Sequence, residues 1–167
     1  MEYLDTYVQK VNDLLTAVGQ KMIPTAQTFI ARGDGVMVPV FILLDANGGV
    51  EMGGLVGPDA IAQRVAQVQA AIQRHPKTVN GFIFLADVLI RSGKMENGTA
   101  VQTNVQDALL CLQVDRWGRM TTVEIPYTRD ANGVVTWEES RTSITPLDHD
   151  VHSPWTEIHF PVKEGVS

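Results

Sequence analysis

The stretch TVNGFIFLADVLIRSG, residues 78–93, constrains the fold more than any other part of the chain. In an extended conformation Phe82, Phe84, Ala86, Val88 and Ile90 share one face. Ile83, Leu85, Asp87, Leu89 and Arg91 share the other. A strand with one wet face alternates apolar and polar residues. This one is largely apolar on both faces, so it belongs at the centre of a sheet. DALLCLQVD, residues 107–115, is a second strand of the same kind.

Helices are the natural cover. Leu4, Tyr7, Val8, Val11, Leu14, Leu15 and Val18 recur at three- and four-residue spacing, which predicts an amphipathic helix over 3–22. Pro24 suits the first turn of a second, shorter helix that Gly33 would close. A third starts at Pro58, carries Ile61, Val65, Val68 and Ile72 on one stripe, and stops at His75-Pro76. The runs 36–45 and 48–57 flank Asp45-Ala46-Asn47-Gly48, a hairpin signal, and Pro39 calls for an exposed edge or a bulge near the first strand's start. Residues 93–103 are polar and read as a loop. The runs 119–128 and 134–140 continue an antiparallel meander around a second Asp-Ala-Asn-Gly at 130–133. Pro126, inside the middle strand of that meander, predicts a bulge or a change of pairing partner.

These elements give an α+β fold: a mostly antiparallel sheet of five or six strands, with N-terminal helices and one further helix packed on one face. At 167 residues the chain reads as a single domain, 1–167. It divides into helices at 1–33, an α+β core at 36–140 and an extended tail at 141–167 with a short strand at 157–162.

Composition excludes several roles. The 13 Lys and Arg residues are scattered among 19 Asp and Glu, and the net charge is −6, so no basic tract is present to bind nucleic acid. MEYLDTYVQK lacks the apolar core of a signal peptide, and no apolar run reaches the ~20 residues of a membrane span. A soluble, cytoplasmic protein with no membrane partner is the expectation. Cys111 is the one cysteine and reads as a buried thiol. The sequence has no phosphate-binding glycine loop and no nucleophile elbow, and no cofactor is expected.

Candidate chemistry is sparse. LDHDVHSPWTEIHF, residues 147–160, holds three of the four histidines. His149, His152 and His159, with Asp148 and Asp150, could ligate a metal, but His-x-x-His outside a helix lacks a rigid frame, and a solvated polar tail is the plainer reading. Each Asp-Ala-Asn-Gly places glycine fourth rather than sixth, which favours a hairpin turn over a calcium loop. Asp87 interrupts the apolar strand. It is either a general base in a pocket or a structural carboxylate paired with Arg91, and Asp107 and Glu124 could join it in a cluster. Trp117, Trp137 and Trp155 could form a recognition surface with Tyr127.

VPVFILLDANGGVE, VNGFIFLADVLIRSG and DALLCLQVDRWGRMTTVEIPYTRDANGVV together resemble a bacterial family of small α+β proteins. Its members share a hairpin with an Asp-x-Asp/Asn-Gly turn, an Ala-Asp-Val strand, an Asp-Ala-Ile-like strand and a Pro-Tyr pair before the final turn. The resemblance spans about 36–140, implies the same fold and carries no assigned activity. The functional expectation is a non-catalytic binding or interaction domain acting through its sheet. The alternatives are a metal-dependent or carboxylate-based enzyme using the histidine cluster, and a small-ligand sensor with a pocket between helices and sheet. A homodimer is expected, because three helices on one face would leave the other face bare.

Overall fold

The structure, a computed structural model, describes residues 2–33, 37–54, 61–75 and 79–146. Two helices, α1 (Glu2–Arg32) and α2 (Ile61–Gln73), accompany seven strands. These are β1 (Val40–Leu44), β2 (Gly49–Gly54), β3 (Gly81–Glu96), β4 (Thr99–Asp115), β5 (Arg119–Arg129), β6 (Val135–Trp137) and β7 (Arg141–Pro146). All pair antiparallel in the order β2-β1-β3-β4-β5-β6, with β7 also on β5. The α+β class with a mostly antiparallel sheet stands, with seven strands in place of five or six.

The helix at the N-terminus does not break at Pro24. One helix of 31 residues runs through it. Proline removes one helical hydrogen bond and costs about 3 kcal/mol in a helix interior. Packing outweighs that cost here. Val11, Leu15, Ala26 and Ile30 form one buried stripe that extends on both sides of Pro24, while Pro24 itself is exposed. Gly33 closes the helix as expected: its φ is +66°, and its N–H donates to the Ile30 carbonyl at 3.2 Å.

The two helices take opposite faces of the sheet, which corrects the expectation of helices on one face. Val65, Val68, Ala71 and Ile72 of α2 pack with Phe41, Leu43, Phe82, Phe84, Leu112 and Val114. Val11, Leu15, Ala26 and Ile30 of α1 pack with Ile42, Leu44, Ile83, Leu85, Leu109 and Cys111. The strand apolar on both sides is thus covered on both sides within one chain. The bare face that motivated a homodimer does not exist over β1 and the body of β3 and β4. Close approach of α1 needs small residues. A methyl on Gly81 would stand 2.7 Å from the Val114 carbonyl oxygen and 3.1 Å from Leu15 Cδ1.

The proline and turn signals resolve well. β5 pairs with β7 through 119–124 and with β6 through 127–129, so Pro126 sits where the partner changes. Its carbonyl accepts from Glu138 N–H at 2.8 Å on that outer side, so the missing N–H falls at the gap between partners and β4 loses no ladder bond. Both Asp-Ala-Asn-Gly segments are hairpin turns. Asp45 Oδ1 accepts from the backbone N–H of Asn47 and Gly48 at 2.7 and 3.0 Å, and Asp130 Oδ1 from those of Asn132 and Val134 at 2.8 and 2.9 Å.

Residues 93–103 are not a loop. β3 and β4 continue as a ribbon to a two-residue turn at Asn97-Gly98, whose φ angles of 52° and 78° suit a type I′ hairpin. β1 pairs with β3 only as far as Leu85, and β5 pairs with β4 only from Asp107. Beyond those points β3 pairs only with β4 and β4 only with β3, and from the Ile90–Gln106 pair outward the two form a ribbon that pairs with no other strand among the described residues. At about 3.3 Å per residue, 90–96 carry this arm roughly 23 Å past the last pair of β4 with β5.

Candidate functional site

The arm and its base form the candidate site. At the base, Asp107 pairs with Tyr127, and Tyr127 with Trp137, so the three share the α1 face. The Tyr127 ring meets the Trp137 ring at 4.9 Å between centroids, tilted 53°. Its hydroxyl reaches over β4 and donates to Asp87 Oδ1 at 2.8 Å. Beside it, Arg129 donates to the Ile30 carbonyl at 2.9 Å and to that of Gly133 at 3.2 Å. It thereby ties the C-terminus of α1 to the β5–β6 turn.

The electrostatics of this rim are those of a latch. Asp87 is exposed by its whole side chain, but partial desolvation of its carboxyl raises it above its ordinary range; the Tyr127 hydrogen bond lowers it, Asp107 raises it and Arg129 lowers it. Burial, and then the Asp87 hydrogen bond, push the Tyr127 phenol well above its ordinary value. A phenol so held stays protonated and donates. It cannot act as a base near neutrality. The pair therefore fixes where the arm leaves the body.

The structure brings Asp87 and Asp107 to one face of neighbouring strands. It sets Glu124 on the other: Glu124 pairs with Leu110, one residue out of phase with Asp107 and Leu109. Asp87 has Tyr127 as its hydrogen-bond partner, and the side chain of Arg91 lies outside those described. His149, His152 and His159, with Asp148, Asp150 and Trp155, lie outside the described residues. Among the described residues no group of three His, Cys, Asp or Glu is placed to hold a metal, and no helix is long and apolar enough to cross a membrane. Cys111 is buried, and burial pushes its thiol up to about 11, which leaves it a poor nucleophile.

The arm itself is the unexplained feature. Leu89 and Val105, on the α1 face, are 50% and 43% exposed, beyond the reach of α1. A two-stranded ribbon is marginal in water without a further strand or a packed face. Among the described residues no third strand pairs with its outer edges at 86–91 or 99–106, and an open strand edge is the usual template for strand addition. The sequence signal for this element was present at Asn97-Gly98; the polar composition around it concealed it.

Among the hollows formed by the described residues, two adjoin α1. A cleft of about 420 Å³ between α1, β5 and β7 is lined by Asn12, Thr16, Gln113, Arg119, Thr142 and Ile144, among others. Part of its polar wall is engaged: Asn12 donates to Asp115 at 2.9 Å, Thr16 to Gln113 at 3.4 Å, and Gln9 to Asp13 at 2.8 Å. An apolar groove of about 290 Å³ lies between the C-terminal part of α1 and the start of β1, with Phe29, Val38 and Leu85 in its lining. No family model, curated protein or solved structure matches this chain.

Proposed function

We propose that the chain is a non-catalytic protein-binding module that works through its sheet, with the β3–β4 arm as the binding element. One observation carries this reading. The body closes its own core on both faces, yet β3 and β4 run on as a ribbon that contacts no other strand among the described residues. Ordering a residue's backbone costs about 1–2 kcal/mol. A ribbon that returns little to its own core is maintained for contact with something else. Recognition by strand addition uses main-chain hydrogen bonds for affinity and alternate side chains for specificity, and the arm offers both. A second copy is the favoured partner. The small-ligand alternative rests on the α1–β5–β7 cleft and ranks below, since Asn12, Thr16 and Gln113 on its wall already hold protein partners.

The test shortens the arm. Ile90 pairs with Gln106, so replacing 91–105 with Asn-Gly keeps that pair and closes a two-residue hairpin. In dilute solution the shortened chain is expected to unfold within about 1 kcal/mol of the parent, the range of changes that touch no core. A loss above about 3 kcal/mol would place the arm in the body's own core and end this reading.

A further inference from the structure

Resting on that reading, we infer that the arm's partner is the arm of a second copy, joined along the open edge of β3 with Leu89 opposite Leu89. The edge beyond β1 begins Asp87-Val88-Leu89-Ile90-Arg91. Laid antiparallel to itself about Leu89, this segment is self-complementary. Asp87 stands opposite Arg91 of the second copy, Val88 opposite Ile90, and the two-fold axis repeats both pairs. Opposite charges and β-branched pairs across antiparallel strands are each favourable, and like charges are not. A slip of one residue in either direction sets both charges against uncharged residues, so the register is specified. A two-fold contact of one edge with itself also closes on that edge, so the β3 edge accepts one further copy.

The geometry of β3 leaves room for the pairing. β1 occupies this edge only to Leu85. Past Arg91, the incoming strand would place Ser92 opposite Ala86 and Gly93 opposite Leu85, where β1 lies. The β3–β4 register shifts between Ser92 and Gly93, a bulge. Bulges bend a strand and increase its twist. The extra residue, Thr103, lies in β4, and the bend it brings falls at the level where each arm would meet the other copy's β1. The pairing also covers Leu89, half exposed in the single chain. The result is a continuous four-stranded bridge, β4-β3-β3-β4, between two bodies.

The experiment uses the full chain and the dyad residue. Leu89→Asp and Leu89→Lys each place like charges face to face. Each variant alone is expected to sediment as a monomer at concentrations where the parent is a dimer, and their equimolar mixture as a dimer. Leu89→Cys is expected to form a disulfide-linked dimer under mild oxidation. Val105→Cys, equally accessible but one strand further out, is expected not to. A parent that is monomeric throughout the micromolar range overturns the pairing. A dimer unaffected by both charged variants overturns it as well, and assigns self-association to another surface. Neither result bears on the shortened-arm measurement, which tests the binding-module reading separately.

Discussion

At the scale of single residues, Asp87 shows how far a sequence can take a carboxylate set in an apolar strand; it is exposed at the rim and still holds a protein partner. The interruption of FIFLA-Asp-VLI marks it as needing a partner, and that inference holds. The partner's identity depends on a strand forty positions away: Tyr127 reaches it only because β4 lies between β3 and β5. No local spacing encodes that contact. The nature of the partner changes the stability argument. The Asp87 carboxyl is raised, chiefly by partial desolvation. A raised carboxyl binds its proton more tightly in the folded state. Its contribution to stability is therefore full below the unfolded value of about 3.9 and is lost as pH rises through the folded value. Asparagine keeps an oxygen for the Tyr127 hydroxyl and removes the charge. Asp87→Asn, studied as a dilute monomer, is expected to be more stable than the parent at pH 7 and no more stable at pH 3.5. Urea unfolding at the two pH values measures this. A variant less stable than the parent at pH 7 would mean that a cation, and not the phenol, governs Asp87.

At the scale of elements, the strands and turns were legible where composition and local geometry agree. Asp-Ala-Asn-Gly gave both of its hairpins, and Pro126 marked the change of partner along β5. The sequence was misread where a local rule met a stronger tertiary term. Pro24 is a helix breaker by its own chemistry, but Ala26 and Ile30 continue the stripe of Val11 and Leu15 onto the same sheet face. Ending the helix at Pro24 would forfeit their burial, worth about 1.5–3 kcal/mol for a fully buried large aliphatic side chain. The arm was misread for the opposite reason: its solvent exposure gives it a loop's polarity, and only Asn97-Gly98 betrays the hairpin. If packing alone carries α1 through Pro24, then Pro24→Ala restores a hydrogen bond and relieves a clash. The expected gain is about 2 kcal/mol, from a helix penalty near 3 less the extra freedom of the unfolded chain. Thermal and urea unfolding should both shift upward. An unchanged or lower stability would show that α1 needs the proline's bend to follow the sheet.

At the scale of the whole molecule, sequence patterning established that β3 and β4 need cover on both faces. It could not say which helix takes which face, because amphipathic stripes carry no label for the surface they meet. The assignment comes from close approaches such as Gly81 beneath Leu15, visible only once the chain is folded. The resulting body and arm differ in kind. The segments 81–85 and 108–114 lie between two helices and two neighbouring strands, and most of their side chains are buried. Each strand of the arm has one neighbouring strand among the described residues. Local opening free energies follow such differences, from near zero in unsupported ribbons to the global value in a core. Amide exchange should therefore separate the chain into two classes. Amides of 81–85 and 108–114 should exchange only on global unfolding. Those of 88–96 and 99–106 should exchange orders of magnitude faster in dilute solution, and the β3 edge should slow as concentration rises and arms pair. Exchange in the arm as slow as in the core, at a concentration where sedimentation shows a monomer, would mean that the chain covers its own arm and that no second copy is needed.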